Sequence, residues 1–488
     1  MGIIAEPRPG PGAGRRGACA VALALALAAG ACGTETYQAA PIDAGGGADR
    51  LIARRLDDPA VAEALAAAGL AVPAWPLPEW SLDALTVAAI HLDPEVAAAR
   101  AAWRTRQASV AAVVRANPVV QPSVAYDTSP DAGDPPWTVG VAVELPIAGA
   151  DKRAALVARA EAKSEAARQD IVRAGWQRRK AVRAAFLACN RATLLQELTR
   201  RQIALHEEIV AIYERRREAG ESSLTEVNLA RQGIDGARLA EAALAGELES
   251  CRGALAGALG VSYQAARALP LDARALSLEA PQPPSDEIRR RALLGRADLN
   301  AALAGYAAAE AALRLEVARQ YPDLTLTPAL FWDQGGLVWS LGASVVAAIL
   351  HRNEGPIAEA RSARDAAAQA VLAVQGRVLA ALAEADAATR AEHAASEAAG
   401  ELVARARSRL DLARRRLAGG DIGRLEVIAA ELALSEAQSG LLAHKLALLA
   451  LNGGYEDIVE RVLVGDASPA LDVSALSESA PSWFERAP

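Results

Sequence analysis

Aromatic residues make up only 4% of this 488-residue chain, which also holds one methionine, four cysteines and five histidines. So few rings cannot fill a large globular core. The apolar share is mostly alanine, a composition that suits closely packed helices with a thin seam between them. His91, His206, His351, His393 and His444 are scattered, with no i,i+4 pair and no adjacent cysteine, which argues against a bound catalytic metal. No glycine-rich phosphate loop follows a strand, and no nucleophile elbow or paired-carboxylate arrangement stands out, so the residues point to no enzyme and no cofactor. A net charge of -7 leaves no basic excess for a nucleic-acid partner. The runs Arg178–Lys180 and Arg215–Arg217 read as solvated helix faces. Past the amino terminus no apolar run has the length of a membrane helix, so any crossing of a bilayer must be made by strands.

What is present begins with Arg15 and Arg16 followed by the apolar run Ala18 to Ala31, shaped like the h-region of a signal peptide and too short to span. It ends Ala28-Ala29-Gly30-Ala31-Cys32-Gly33, which resembles the lipobox of bacterial lipoproteins. Cys32 is then the lipidation site, although Ala29 stands where leucine is usual; the plain alternative is ordinary cleavage with Cys32 incidental.

The longest pattern is helical. From Lys152 to Ala219 there is no proline and one interior glycine, enough for an unbroken helix about 100 Å long. Gly220 suits a left-handed helix end, and Ser223 with Glu226 makes an S-x-x-E capping box that opens a return helix. The pattern recurs 200 residues on: Arg414-Arg415-Arg416, Gly419-Gly420, Asp421, Gly423-Arg424 and Glu426-Val427 repeat the triple arginine, the glycine stop, the acid and the Glu-Val start. A period this long is a duplicated supersecondary unit.

Ahead of each long helix lie a helical segment and two strands. Ser81–Asn117 is capped by Ser81, restarts at Asp93-Pro94 and stops at Asn117-Pro118; strands Val119–Tyr126 and Trp137–Leu145 follow, ended by Pro146. In repeat two, helix Asp286–Gln320 stops at Tyr321-Pro322, and strands Asp323–Trp332 and Leu337–Val346 precede the helix Pro356–Ala418 and its return Leu425–Asn452. Strand Trp137–Leu145 alternates Trp137, Val139, Val141, Val143 and Leu145 with Thr138, Gly140, Ala142 and Glu144, the signature of a half-buried strand or of a barrel wall between lipid and water. Tyr126, Trp137, Phe331, Trp332 and Trp339 flank the two hairpin loops and are read as an aromatic girdle, or as aromatic caps on soluble hairpins.

Two helical hairpins, each preceded by helix, strand, loop and strand, resemble the outer-membrane efflux protein family, the TolC-like channels of Gram-negative tripartite pumps. The carriers are Leu145-Pro146-Ile147 with Lys152-Arg153, the run His351-Arg352-Asn353-Glu354-Gly355-Pro356-Ile357, and the two glycine-acid tips. The Arg-Asn-x-Gly run is similar to the heavy-metal, CzcC-like branch, while Ala347-Ala348-Ile349-Leu350 lacks the proline expected there. The resemblance implies a mainly α fold with a small β part, three chains forming an α-barrel tunnel and sharing a 12-stranded membrane β-barrel. It also implies a periplasmic adaptor and an inner-membrane transporter of RND type as partners, an outer-membrane location reaching into the periplasm, and a passive duct for heavy-metal cations. Drug efflux and type I protein secretion stay open, as does, from another class, a periplasmic coiled-coil adaptor or scaffold.

On this reading residues 1–32 are the signal peptide, 33–80 a tether, 81–265 repeat one, 266–285 a connector, 286–463 repeat two and 464–488 a tail. Glu221 and Asp421 become rings of carboxylates at the periplasmic entrance, with Arg414, Arg415, Arg416 and Arg424 as closing ion-pair partners between chains. Glu226 and Glu426 are read as helix caps. The adaptor is expected over Gly220, Ser222, Ser223, Gly420 and Gly423. Cys189 and Cys251 stand at matching height on antiparallel helices, where they form a disulfide or remain two small buried thiols.

Overall fold

The structure is a computed structural model, and it describes residues 36–114, 118–126, 137–147, 149–272, 285–333, 336–345 and 352–461. The signal peptide with Cys32, Asn117, the first hairpin loop, most of the connector, Val346 to His351 and the tail lie outside them. Chain order is α1 (Ala44–Ile52), α2 (Pro59–Ala67), α3 (Leu82–Leu92), α4 (Pro94–Val114), β1 (Val119–Tyr126), β2 (Trp137–Ile147), α5 (Ala150–Glu218), α6 (Leu224–Leu259), α7 (Tyr263–Arg267), α8 (Asp286–Gly295), α9 (Ala297–Ala318), β3 (Leu324–Asp333), β4 (Gly336–Val345), α10 (Glu354–Ala418) and α11 (Arg424–Val459).

The chain divides into two compact units, one built on residues 107–162 and 307–366, the other on 44–106, 163–306 and 367–488. The first holds one antiparallel sheet in the order β1-β2-β3-β4. β2 continues through Pro146, which lies opposite Thr325 of β3, instead of ending before it. β1 begins at Val119 opposite Glu144, so beyond that point β2 has a neighbour on one side only, the edge-like setting in which a strand tolerates proline. β1 and β4 are the two edges.

In the second unit the 33–80 segment is no mere tether. Leu56, Val61, Leu65 and Trp80 are buried in one cluster with Leu85 and Ile90 of α3, Ile171 and Phe186 of α5, and Leu255 and Leu259 of α6. Asp58 caps α2, and Trp80 pairs with Leu271 as an isolated parallel bridge, its N–H donating to the Pro270 carbonyl at 2.9 Å. The helix expected over Asp286–Gln320 breaks at Arg296, whose backbone is extended (ψ 148°). The Arg296 guanidinium donates to Asp298 at 2.9 Å and to the Asp457 carbonyl at 3.1 Å, joining the break to the end of α11. α11 itself runs past Asn452 to Val459, because Asn452, Tyr455 and Glu456 are buried and keep packing.

Both hairpin turns close alike. Gly220 (φ 78°) and Gly420 (φ 80°) take the left-handed conformation. The next N–H, of Glu221 or Asp421, donates to the Arg216 or Arg416 carbonyl at 2.7 and 3.0 Å. α6 then opens with a complete Ser223–Glu226 capping box, whereas Gly423 gives α11 no side-chain cap.

Candidate functional site

The sheet separates two chemistries. Strand register puts Val120, Val124 and Tyr126 of β1 beside Val143, Val139 and Trp137 of β2, then Leu330 and Trp332 of β3 beside Val141 and Val139, and Trp339 and Leu337 of β4 beside those. Directly opposed residues share a face. Every residue on this face is apolar from edge to edge, and Val124, Trp137, Leu337, Trp339 and Leu341 are all more than half exposed. The opposite face carries Gln121, Ser123, Thr138, Glu144, Thr325, Thr327, Asp333, Ser340 and Ser344, with Thr138 Oγ1 donating to Asp333 at 2.7 Å.

Four of the five girdle aromatics, Tyr126, Trp137, Trp332 and Trp339, stand on the apolar face, and Tyr126 and Trp137 meet edge-on at 4.7 Å. Phe331 does not join them. It is opposite Gly140, on the polar side, and its ring occupies the space a Cβ at Gly140 would need. Period-2 alternation alone dictates this, since Phe331 and Trp332 are adjacent and point to opposite faces.

Each junction between sheet and long helix is held by a long-range polar contact. Buried Lys152 donates to the Tyr321 carbonyl at 2.6 Å and to Asp323 at 2.8 Å. Asn353, left-handed at φ 55°, donates its amide to the Glu316 carbonyl at 2.7 Å and its carboxylate at 2.9 Å. The Arg352-Asn353 run therefore has a local task, turning the chain into α10 and tying it to the end of α9.

At the tips Glu221 and Asp421 are exposed, as are Arg414, Arg415, Arg416, Gly220, Ser223 and Gly420, with Ser222 and Gly423 half-buried. Two of the four arginines assigned to these acids, Arg414 and Arg424, have other partners within the chain. Arg424 forks onto Glu208 of α5 at 2.8 and 3.0 Å, and Arg414 donates to Glu431 at 3.0 Å. The Arg424 fork holds the Glu208 carboxyl below, and the guanidinium above, their ordinary values. Glu226 is likewise depressed, chiefly by the Ser223 backbone N–H it accepts at 2.7 Å. Cys189 and Cys251 form a disulfide, with Cα atoms 5.4 Å apart. Among the described residues no group of three or more metal-ligating side chains comes together.

Residues 85–261 match the model of the Outer membrane efflux protein family. This segment belongs to the outer membrane efflux protein family. Beyond this segment the likeness is one of fold: the chain is similar to the outer membrane protein VceC of Vibrio cholerae (20% identity, TM-score 0.64, covering 78% of this chain and 95% of that one). It is similar also to the channel OprN (20%, 0.62, covering 87% and 97%) and to CusC (17%, 0.60, covering 78% and 91%). No curated protein sequence matches. An outer-membrane efflux protein sits in the outer membrane, reaches into the periplasm and conducts without catalysing.

Sequence reasoning missed a second feature of this chain, the ionic cluster at the end of α11. Arg179, 2% exposed, donates to Glu456 at 2.8 Å, and Arg183, lying across Gly453, donates to Asp457 at 2.5 Å. Burial pushes the Asp457 and Glu460 carboxyls up. The partners lie more than 270 positions apart, and the reading of Arg178–Lys180 as a solvated face is corrected at Arg179, which is buried against Glu456.

Proposed function

We propose that the chain is one subunit of a trimeric, passive export duct that a periplasmic adaptor and an inner-membrane transporter, of RND type, load with heavy-metal cations. The observation that carries the duct is the uncovered, wholly apolar sheet face backed by a polar one: water solvates neither a strip that broad nor its aromatic rim, whereas lipid does. Four strands are too few to close a barrel and leave β1 and β4 open, so three chains pooling twelve strands are the natural closure. Cys32 is the proposed lipid anchor.

The metal load has narrower support, the Arg352-Asn353-x-Gly355 run and the carboxylates at the tips. Glu221 and Asp421 lie in the turns themselves, where an exposed acid repeated by symmetry favours cations, and the same turns offer the adaptor an exposed backbone at Gly220, Ser222, Ser223, Gly420 and Gly423. Planar-bilayer conductance of Asp421→Asn is the test. We expect cation preference to fall several-fold in a particle that still inserts as a trimer, and unchanged selectivity and open probability would remove Asp421 from the entrance. Host sensitivity after gene deletion assigns the load: loss of Zn, Co or Cu tolerance fits metal export, and loss of drug tolerance alone moves the channel to a multidrug pump.

A further inference from the structure

The two hairpins lie side by side in a fixed order of helices. α5 meets α6 through the Cys189–Cys251 bond and the Arg191–Glu247 pair, and it meets α11 through Arg424–Glu208, Arg179–Glu456 and the Gln202 amide, which donates to Ser439 Oγ at 3.5 Å. α11 in turn meets α10 through His444–Glu392 at 2.7 Å and Arg414–Glu431. The order is α6-α5-α11-α10, which leaves α6 and α10 as the flanks. Both flanks present leucine to solvent: Leu229 and Leu239 of α6 and Leu402 and Leu412 of α10 are 49–73% exposed.

These leucines follow one pattern. On α6, Leu229 and Leu239 stand ten places apart, the spacing from an a position to the d position of the next heptad, with Gln232 and Gly236 at the d and a places between them. On α10, Leu402 and Leu412 are also ten apart, with Arg405 and Arg409 between. The heights agree as well: Leu229 lies nine residues after Gly220 and Leu412 eight before Gly420, while Leu239 lies 19 after and Leu402 18 before. Because α6 runs away from its tip and α10 toward its own, setting Leu229 on Leu412 puts every a of one helix against a d of the other, as an antiparallel seam requires. The two positions in each layer then add to 641, and Leu239 falls on Leu402 with no further choice. The same register sets the long Arg405 against Gly236, where a Cβ would meet nothing within 4 Å, and beside the exposed Asp235. Arg405 already donates to Glu401 at 3.1 Å, an exposed pair on its own helix that leaves further N–H donors for a carboxylate opposite. Farther from the tip, positions 243, 246 and 250 meet 398, 395 and 391, all alanine, glycine or serine, which allow close approach of two helices.

We propose that these two stripes are the seam between neighbouring copies of the chain, α6 of one packed antiparallel on α10 of the next, in the register of the Leu229–Leu412 and Leu239–Leu402 layers. The stripes lie on opposite flanks of one chain, so the contact is heterologous and repeats from copy to copy until the ring closes. The inference rests on the trimeric reading above and adds which surfaces meet and at what height.

Cysteine pairs in the full chain, with the native bridge closed, read the register. Leu229→Cys with Leu412→Cys should oxidise to a covalent trimer on a non-reducing gel at several times the yield of Leu229→Cys with Arg405→Cys, which is offset by one heptad. Equal yields, or a cross-link that leaves the chain monomeric, would overturn the seam. Native mass of the unaltered chain in detergent separates the two readings: a trimer whose variant lacks the 229–412 cross-link removes the seam alone, and a monomer removes the trimer with it. Should the variants not assemble, hydroxyl-radical footprinting of the unaltered particle decides. Leu229 and Leu412 should be labelled several-fold less than Leu379, which is 55% exposed in the single chain against 51% for Leu412, and equal labelling would sink the idea.

Discussion

The two helical hairpins descend from one pattern and are held by different forces. Hairpin two carries buried residues along both helices: Val374, Val378 and Leu382 of α10 cluster with Tyr455 and Val459 of α11 and with Ala292 and Leu299, while Ala406 and Leu410 of α10 and Val427, Ile428, Ala437, Leu446 and Leu448 of α11 are buried nearer the tip. Hairpin one is packed at its base, where Ile171, Val182 and Phe186 of α5 meet Leu255, Ala258 and Leu259 of α6, and toward its tip is fastened by one covalent bond and a ladder of surface charges. One rung survives in both copies with its signs exchanged. Glu214 faces Arg231 in the first, and Arg414 faces Glu431, each 200 places on, in the second. The duplication has kept the pairing and not the individual charge. Two copies of one helical pattern can thus be equivalent in outline while differing in how far buried side chains extend toward the tip.

Breaking the bridge should have the largest effect. Cys189→Ser with Cys251→Ser frees a loop of 62 residues and should cost about 4 kcal/mol, read as a lower guanidinium midpoint of the helical signal. Next comes the seam of hairpin two: Ile428→Ala, at a fully buried position, should cost about 3 kcal/mol, while Asn228→Ala at the matching exposed place in hairpin one should change stability by less than about 0.5 kcal/mol. Equal losses would erase the distinction.

The caps are a finer contrast. Ser223→Ala should cost about 1 kcal/mol, and Gly423→Ser should gain roughly a few tenths of a kcal/mol, since the new Cβ meets the ends of two long side chains, the Glu426 carboxylate at 3.2 Å and the Arg216 guanidinium at 4.0 Å. Because the Glu226 carboxyl is depressed in the folded chain, its contribution is present above the ordinary carboxylate range and is lost as pH falls through the lowered value; exchange rates of the first α6 amides should rise there. Smallest is the rung itself. Arg231→Glu should cost roughly 0.5 kcal/mol, and adding Glu214→Arg should restore it by copying the arrangement of hairpin two, with the coupling fading at 1 M salt.

Much of this was legible. The strands announced themselves by strict alternation, the hairpins by freedom from proline, and the turns by Gly220 and Gly420. Phe331 was misplaced because nearness to a loop was weighed above parity along the strand. The 33–80 segment looked like a tether because its alanines hide the core residues Leu56, Val61, Leu65 and Trp80, whose partners lie far along the chain. Long-range charge pairs such as Arg424–Glu208 and Arg179–Glu456 leave no local trace at all. Each partner reads as an ordinary solvated residue until the helices are laid side by side.

Two of the four strands, β1 and β4, are edges, each carrying a row of N–H and C=O groups in β geometry beside a bare apolar face. Such an edge accepts the first strand that arrives, whether from a sister chain or a stranger. A newly made copy is therefore hazardous cargo while it travels, and what protects it is time and escort: it must be kept apart from its own kind until the bilayer is within reach, then meet its sisters quickly. Overproduction should fail first at that step, as sheet-rich aggregates containing otherwise sound helices.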